Sequence, residues 1–260
     1  QMRMRRNIDL NERSKSMRFR LVWALMLVLP TTVFAAPGVG DPVYGATVIK
    51  GVTEFEARYG RLMGGADDGA DGLVLETEHA FSNQFAGAVL VETGRDGNGQ
   101  RSVNSASIEA IHTLGRVDAL ALDVALYAEY KYGFRGNSDV LEGKVLLEHR
   151  AATFDARLNV ISEHALQHSA PVDLSYAASV DWAVIGNDLR LGVAAFGDLG
   201  STQHFGGRQE HFAGPEIKID VDHFGSGELE VEAGWLRAFG AARDRTQGQA
   251  RLLISYETHF

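Results

Sequence analysis

Three glutamates, Glu228, Glu230 and Glu232, stand two residues apart with no base between them, and Asp220 and Asp222 keep the same spacing shortly before. A spacing of two places all three side chains on one face of an extended strand, where carboxylates crowd into a single anionic surface. The pattern recurs along the chain. Glu54 and Glu56, Glu76 and Glu78, Asp123 with Glu129, and Asp155, Asp173 and Asp181 all fall on the polar side of alternating stretches. Bases on those same faces are fewer: Arg58, Lys131, Lys144, Arg157, Arg190, Lys218 and Arg251. Confined in one space, such an excess of carboxylate raises the local cation concentration and excludes anions.

Other residues could do chemistry, but their spacing does not assemble it. His164, His168 and Ser169, and His204 and His211 with Asp198 and Glu210, lie in or beside two polar connections. The His204–His211 separation fits no compact ligand motif, and no local motif matches a hydrolase triad. The run Asp67–Gly72 lacks the downstream glutamate of a calcium loop. No metal site and no cofactor are expected. Catalysis on the histidine-bearing loops stays open as an alternative function.

The elements that must carry the acids are strands. From Leu120 to Tyr132 apolar residues occupy every even position, and the segments at 172–182 and 228–235 alternate in the same way. That is period two, and no segment has the 3.6 period of an amphipathic helix. Twelve such segments are expected near 52–63, 71–82, 84–94, 104–115, 119–133, 139–149, 152–164, 172–185, 188–198, 212–223, 227–238 and 248–260. Each has about the ten residues that a tilted membrane strand needs, against five or six in typical soluble sheets. Connections alternate between tight ones, such as Gly186-Asn187-Asp188, and long polar ones, such as 198–211. Antiparallel neighbours therefore put every long loop at one end, the asymmetry of outer-membrane barrels.

The chain has 260 residues, no cysteine and a formal net charge of −9. Without cysteine there is no disulfide framework or thiolate chemistry, and the acidic balance argues against nucleic acid as a partner. Met17–Ala36 reads as a signal peptide: Arg18 and Arg20, an apolar run Leu21–Leu29, and small residues around Ala35. Cleavage after Ala35 removes seven basic and two acidic residues and leaves 18 against 32, a net charge of −14. The expected division is an upstream extension and signal peptide at 1–35, a periplasmic N-terminal segment at 36–51, and a barrel at 52–260.

The final stretch, Leu252 to Phe260, resembles the C-terminal strand of Gram-negative outer-membrane β-barrel proteins, which typically end in phenylalanine with apolar or aromatic residues at alternate positions before it. Leu252, Ile254, Tyr256 and Phe260 match that pattern, and Thr258 departs from the commoner aromatic. The resemblance implies an all-β, transmembrane antiparallel barrel in the outer membrane, with the barrel-assembly machinery reading this strand and outer-membrane lipid around the wall. The apolar faces then point outward and the charged faces inward. The resulting expectation is a porin-like passive channel for small cationic or neutral polar solutes, with a closed structural barrel as the other alternative. His112 is a misfit on the apolar side, to be explained by an interface position or a bulge.

Overall fold

The computed structural model describes residues 36–95 and 99–259. Among them are twelve strands: β1 (Val52–Met63), β2 (Asp71–Ala80), β3 (Phe85–Arg95), β4 (Ser102–Val117), β5 (Leu122–Gly133), β6 (Val140–Ala151), β7 (Phe154–Ala165), β8 (Val172–Ile185), β9 (Leu189–Ser201), β10 (Glu210–Phe224), β11 (Gly227–Gly240) and β12 (Gly248–His259). Every strand pairs antiparallel with its sequence neighbours, and β1 pairs with β12 to close the barrel. Closure leaves no unpaired edge for lipid to meet. The long connections lie at one end and the tight turns at the other, together with the start of β1 and the end of β12.

The apolar face points outward. Val89, Ile108, Leu126, Val145, Val193 and Ile254, each near the middle of its strand, are exposed. Aromatics flank this band. Phe154 packs on Trp182 with ring centroids 5.4 Å apart, and Phe81 on Phe85 at 6.0 Å, all at the tight-turn end. Tyr130, Tyr132, Trp235 and Phe239 are exposed towards the long-loop end. An apolar belt between two aromatic girdles is what a barrel presents to a bilayer. His112 is outward and exposed, and the register between β4 and β5 shifts immediately after it, between Thr113 and Gly115. The shift comes after His112 and leaves it outward, opposite Phe85 at the tight-turn end of β3. Phe212, the third residue of β10, is by contrast fully buried on the inner face.

Residues 36–51 depart from the expected periplasmic tail, because they run down the inside of the barrel. Ala36, Val39 and Val43 join a buried apolar cluster with Leu62, Phe196, Phe212 and Leu236. Further on, Ala46 is buried with Ala125, Tyr127 and Leu146. The segment leaves by the tight-turn end, where Lys50 donates its N–H to Asn83 Oδ1 at 3.0 Å. The wall makes room for it with glycine: a Cβ on Gly60 would stand 3.0 Å from Val39 Cα and 3.2 Å from the Gly40 nitrogen.

Candidate functional site

Backbone groups buried inside a barrel must find partners, and the wall supplies them by side chain. Asn159 accepts the Tyr44 N–H at 2.8 Å and donates to the Tyr44 carbonyl at 3.0 Å. Glu148 accepts the Ala46 N–H at 3.0 Å, and the Thr113 hydroxyl donates to the Ala46 carbonyl at 3.0 Å. Gln249 donates to the Pro37 carbonyl at 2.9 Å. Arg251 donates to the carbonyls of Gly38 and Asp41 and lies 3.9 Å from the Phe196 ring centroid. Gly38 has φ +86°, and any side chain there would collide with Phe196, Arg251 and Gln249. The N-terminal segment is thus latched at three levels by side chains of β4, β6, β7 and β12.

Thirteen of the fourteen acids expected to line the lumen keep the inward parity of their strands, Asp222 being the exception, and they divide into groups. Six are held in ion pairs. Arg58 bridges Glu56 at 2.7 Å and Glu76 at 2.8 Å. Arg116 meets Asp123 at 2.9 Å, Arg157 meets Asp155 at 2.9 Å, and Lys218 meets Glu232 at 3.1 Å. Arg190 pairs with Asp181. Asp220 and Glu230 border a cavity of about 370 Å³ near the tight-turn end, with Arg157, Arg190 and Lys218 across it. Asp222 is exposed beside a register shift in β10.

The other five, Glu54, Glu78, Glu129, Asp173 and Glu228, belong to an arrangement that the sequence does not display. Glu228 faces Glu257, Glu257 faces Glu54, and Glu54 faces Glu78 across successive strand pairs. Ala88 interrupts the line, and Glu109 resumes it opposite. Glu109 then faces Glu129, Glu129 faces Glu142, Glu142 faces Glu163, and Glu163 faces Asp173. Nine carboxylates on ten consecutive strands form one line with a single gap, at Ala88. A line of direct partners runs perpendicular to strands that are themselves tilted, so it climbs the wall. It starts at Glu228, one residue inside β11 at the tight-turn end, and finishes at Asp173, one residue inside β8 at the long-loop end.

Like charges placed directly opposite destabilise a sheet, so this line needs a physical reason. Ion pairing does not provide one: among the described residues only Glu142 of the nine has a basic partner, Lys144 at 2.9 Å. Lys144 Nζ also lies 4.5 Å from the Tyr44 ring centroid and 4.2 Å from that of Tyr127. Glu109 accepts the Tyr44 hydroxyl at 3.4 Å and Glu129 the Tyr127 hydroxyl at 2.9 Å, which leaves the second oxygen of each without a partner.

The loop histidines do not converge. His164 Nδ1 is 3.3 Å from the Pro171 carbonyl, and His211 Nδ1 is 3.3 Å from the Tyr176 hydroxyl. Of the terminal strand, Leu252 and Ile254 face outward and Tyr256 packs edge-on to Phe224, with centroids 6.3 Å apart. Phe260 lies outside the described residues, as does the signal-peptide region.

A closed twelve-strand antiparallel barrel with an apolar belt, two aromatic girdles and a charged interior has the architecture of an outer-membrane β-barrel. The comparisons agree on the fold. The chain is similar to the KdgM porin, solved in complex with disordered oligogalacturonate, at 10% identity over 80% of this chain and 99% of that one, with TM-score 0.53. It is similar to the NanC porin at 11% identity over 79% and 99%, with TM-score 0.54. It is also similar to an outer membrane channel from Pseudomonas putida F1, at 11% identity over 87% and 100%, with TM-score 0.56. No family model and no curated protein matches the sequence.

Proposed function

We propose that the protein is a passive outer-membrane channel for small solutes whose acidic lumen favours cations and neutral polar molecules over anions. The observation that carries this reading is the carboxylate line from Glu228 to Asp173, which runs from one mouth of the barrel towards the other. Its charges attract counter-ions along the whole path, and the low-dielectric wall strengthens the field they produce. The ion-paired wall around Arg58, Arg157 and Lys218 is closer to electroneutral and gives no comparable path for anions. The N-terminal segment narrows the lumen, with the Tyr44 hydroxyl against Glu109 on the line itself.

A closed barrel is the second reading, and one observation favours it. Residues 37–46 are fixed to the wall by at least five side chains, Asn159, Glu148, Thr113, Gln249 and Arg251. Purified protein in planar bilayers separates the two. Discrete conductance with a reversal potential favouring cations supports the channel. Silence from the full chain, with conductance restored on deletion of residues 37–48, supports a barrel held shut by its own segment.

A further inference from the structure

The carboxylate line has a chemistry more specific than general attraction of cations. We propose that it is a binding track for linear aliphatic polyamines, which it holds by one carboxylate per ammonium group. The inference rests on the channel reading, and deepens it by naming a ligand class.

The first argument is spacing. On either side of the gap at Ala88, successive carboxylates stand one strand apart, about 4.8 Å. Single bonds of about 1.5 Å put amines bridged by three or four carbons roughly 5–6 Å apart, a near match to that repeat. A hard divalent ion instead needs several oxygens converging on one point. The line does not converge, and no group of three or more acids or histidines among the described residues is arranged to hold a metal.

The second argument is the interior's own precedent. Lys144 places a primary ammonium against Glu142 at 2.9 Å and over two tyrosine rings. This combines a charge-assisted hydrogen bond with cation–π contact, the chemistry that recognises alkylammonium groups. Tyr44, one of the two rings, comes from the N-terminal segment, so the segment completes an ammonium pocket as well as narrowing the lumen.

The third argument is unmet hydrogen bonding. Glu109 and Glu129 are each only 7% exposed, and in both Oε1 has no hydrogen-bond partner. A buried carboxylate oxygen without a donor is costly, and an ammonium brings three donors. At the tight-turn mouth, Glu228 and Glu257 border a cavity of about 350 Å³ where a polyamine could enter the line.

The test is calorimetric titration of the full chain in detergent with spermine, 1-aminobutane and magnesium, alongside bilayer currents with spermine added to one side. Spermine should bind saturably and at least tenfold more tightly than either comparator. The triple variant Glu54→Gln, Glu78→Gln, Glu257→Gln should weaken it at least tenfold. A second variant at the other end, Glu163→Gln with Asp173→Asn, guards against a folding defect in the first, and each must keep a heat-modifiable band. Spermine binding no tighter than magnesium, or unchanged in both folded variants, overturns the polyamine track while a cation-selective current leaves the channel standing. Silent bilayers with an intact, variant-sensitive titration overturn the channel and leave the track.

Discussion

Asn159 satisfies both backbone groups of Tyr44, accepting its N–H at 2.8 Å and donating to its carbonyl at 3.0 Å. One wall side chain thereby holds the N-terminal segment as a neighbouring strand would. Asn159→Ala leaves two polar groups buried without a protein partner, at about 1–3 kcal/mol. The segment should then leave its seat more often. Single-channel recordings should show larger or more frequent open events than the parent. Identical current traces would mean that the segment is held elsewhere.

Charge on the outward face should be costly in proportion to depth. Val124 faces outward towards the tight-turn half of β5, and Val124→Arg should destabilise by about 2–4 kcal/mol if it lies near the bilayer midplane. Ala125, one residue on, faces inward but is fully buried against Ala46, Leu146 and Tyr127. Ala125→Arg should therefore overpack the interior, by about 1–3 kcal/mol or more. Deleting residues 37–48 should relieve the Ala125 variant and leave the Val124 variant unrelieved. Folding titrations in lipid vesicles measure all four.

The outer loops carry a pH-sensitive clasp. Arg208 meets Asp244 with two contacts of 2.7 Å, and this hydrogen bonding holds the Asp244 carboxyl below its usual range. Because the folded value is depressed, the pair's contribution is fully present above the unfolded value of about 3.9 and is lost as pH falls through the folded one. A carboxyl-carbon NMR titration should place the Asp244 midpoint below that of the Arg208→Ala variant. Coincident curves would remove the clasp.

The twelve strands, their alternation and the two kinds of connection were readable because inward and outward side chains differ in chemistry at every second position. Boundaries shifted by a few residues, as in β4, which continues to Val117 past its bulge. The acids were readable one strand at a time, and Glu228, Glu230 and Glu232 stood out for that reason. The line from Glu228 to Asp173 was not, because neighbours on it lie many residues apart and meet only through register. The filled wall was hidden differently. Phe196, Phe212 and Leu146 point inward, where a water-filled pore would have polar residues. They do so because Val39, Val43 and Ala46 cover them. The Gly38-Val39-Gly40 run and the uncharged Asn159 were the available signals.

Terminal-strand recognition can be tested separately from the lumen. β12 pairs with β1 along its whole length, from Gly248 against Met63 to His259 against Val52, so β12 must be in place for the barrel to close. In the outer-membrane proteins that this strand resembles, the final aromatic is what the assembly machinery reads. A purely structural role for Phe260 predicts loss of the folded barrel both in the cell and on refolding. A recognition role predicts loss in the cell with folding preserved outside it. Outer-membrane fractions of the truncated chain should show little heat-modifiable band, while the same chain refolded into vesicles should reach the parent's yield. A normal cellular band would exclude Phe260 as the signal, and failure in both settings would assign it to closure of the barrel.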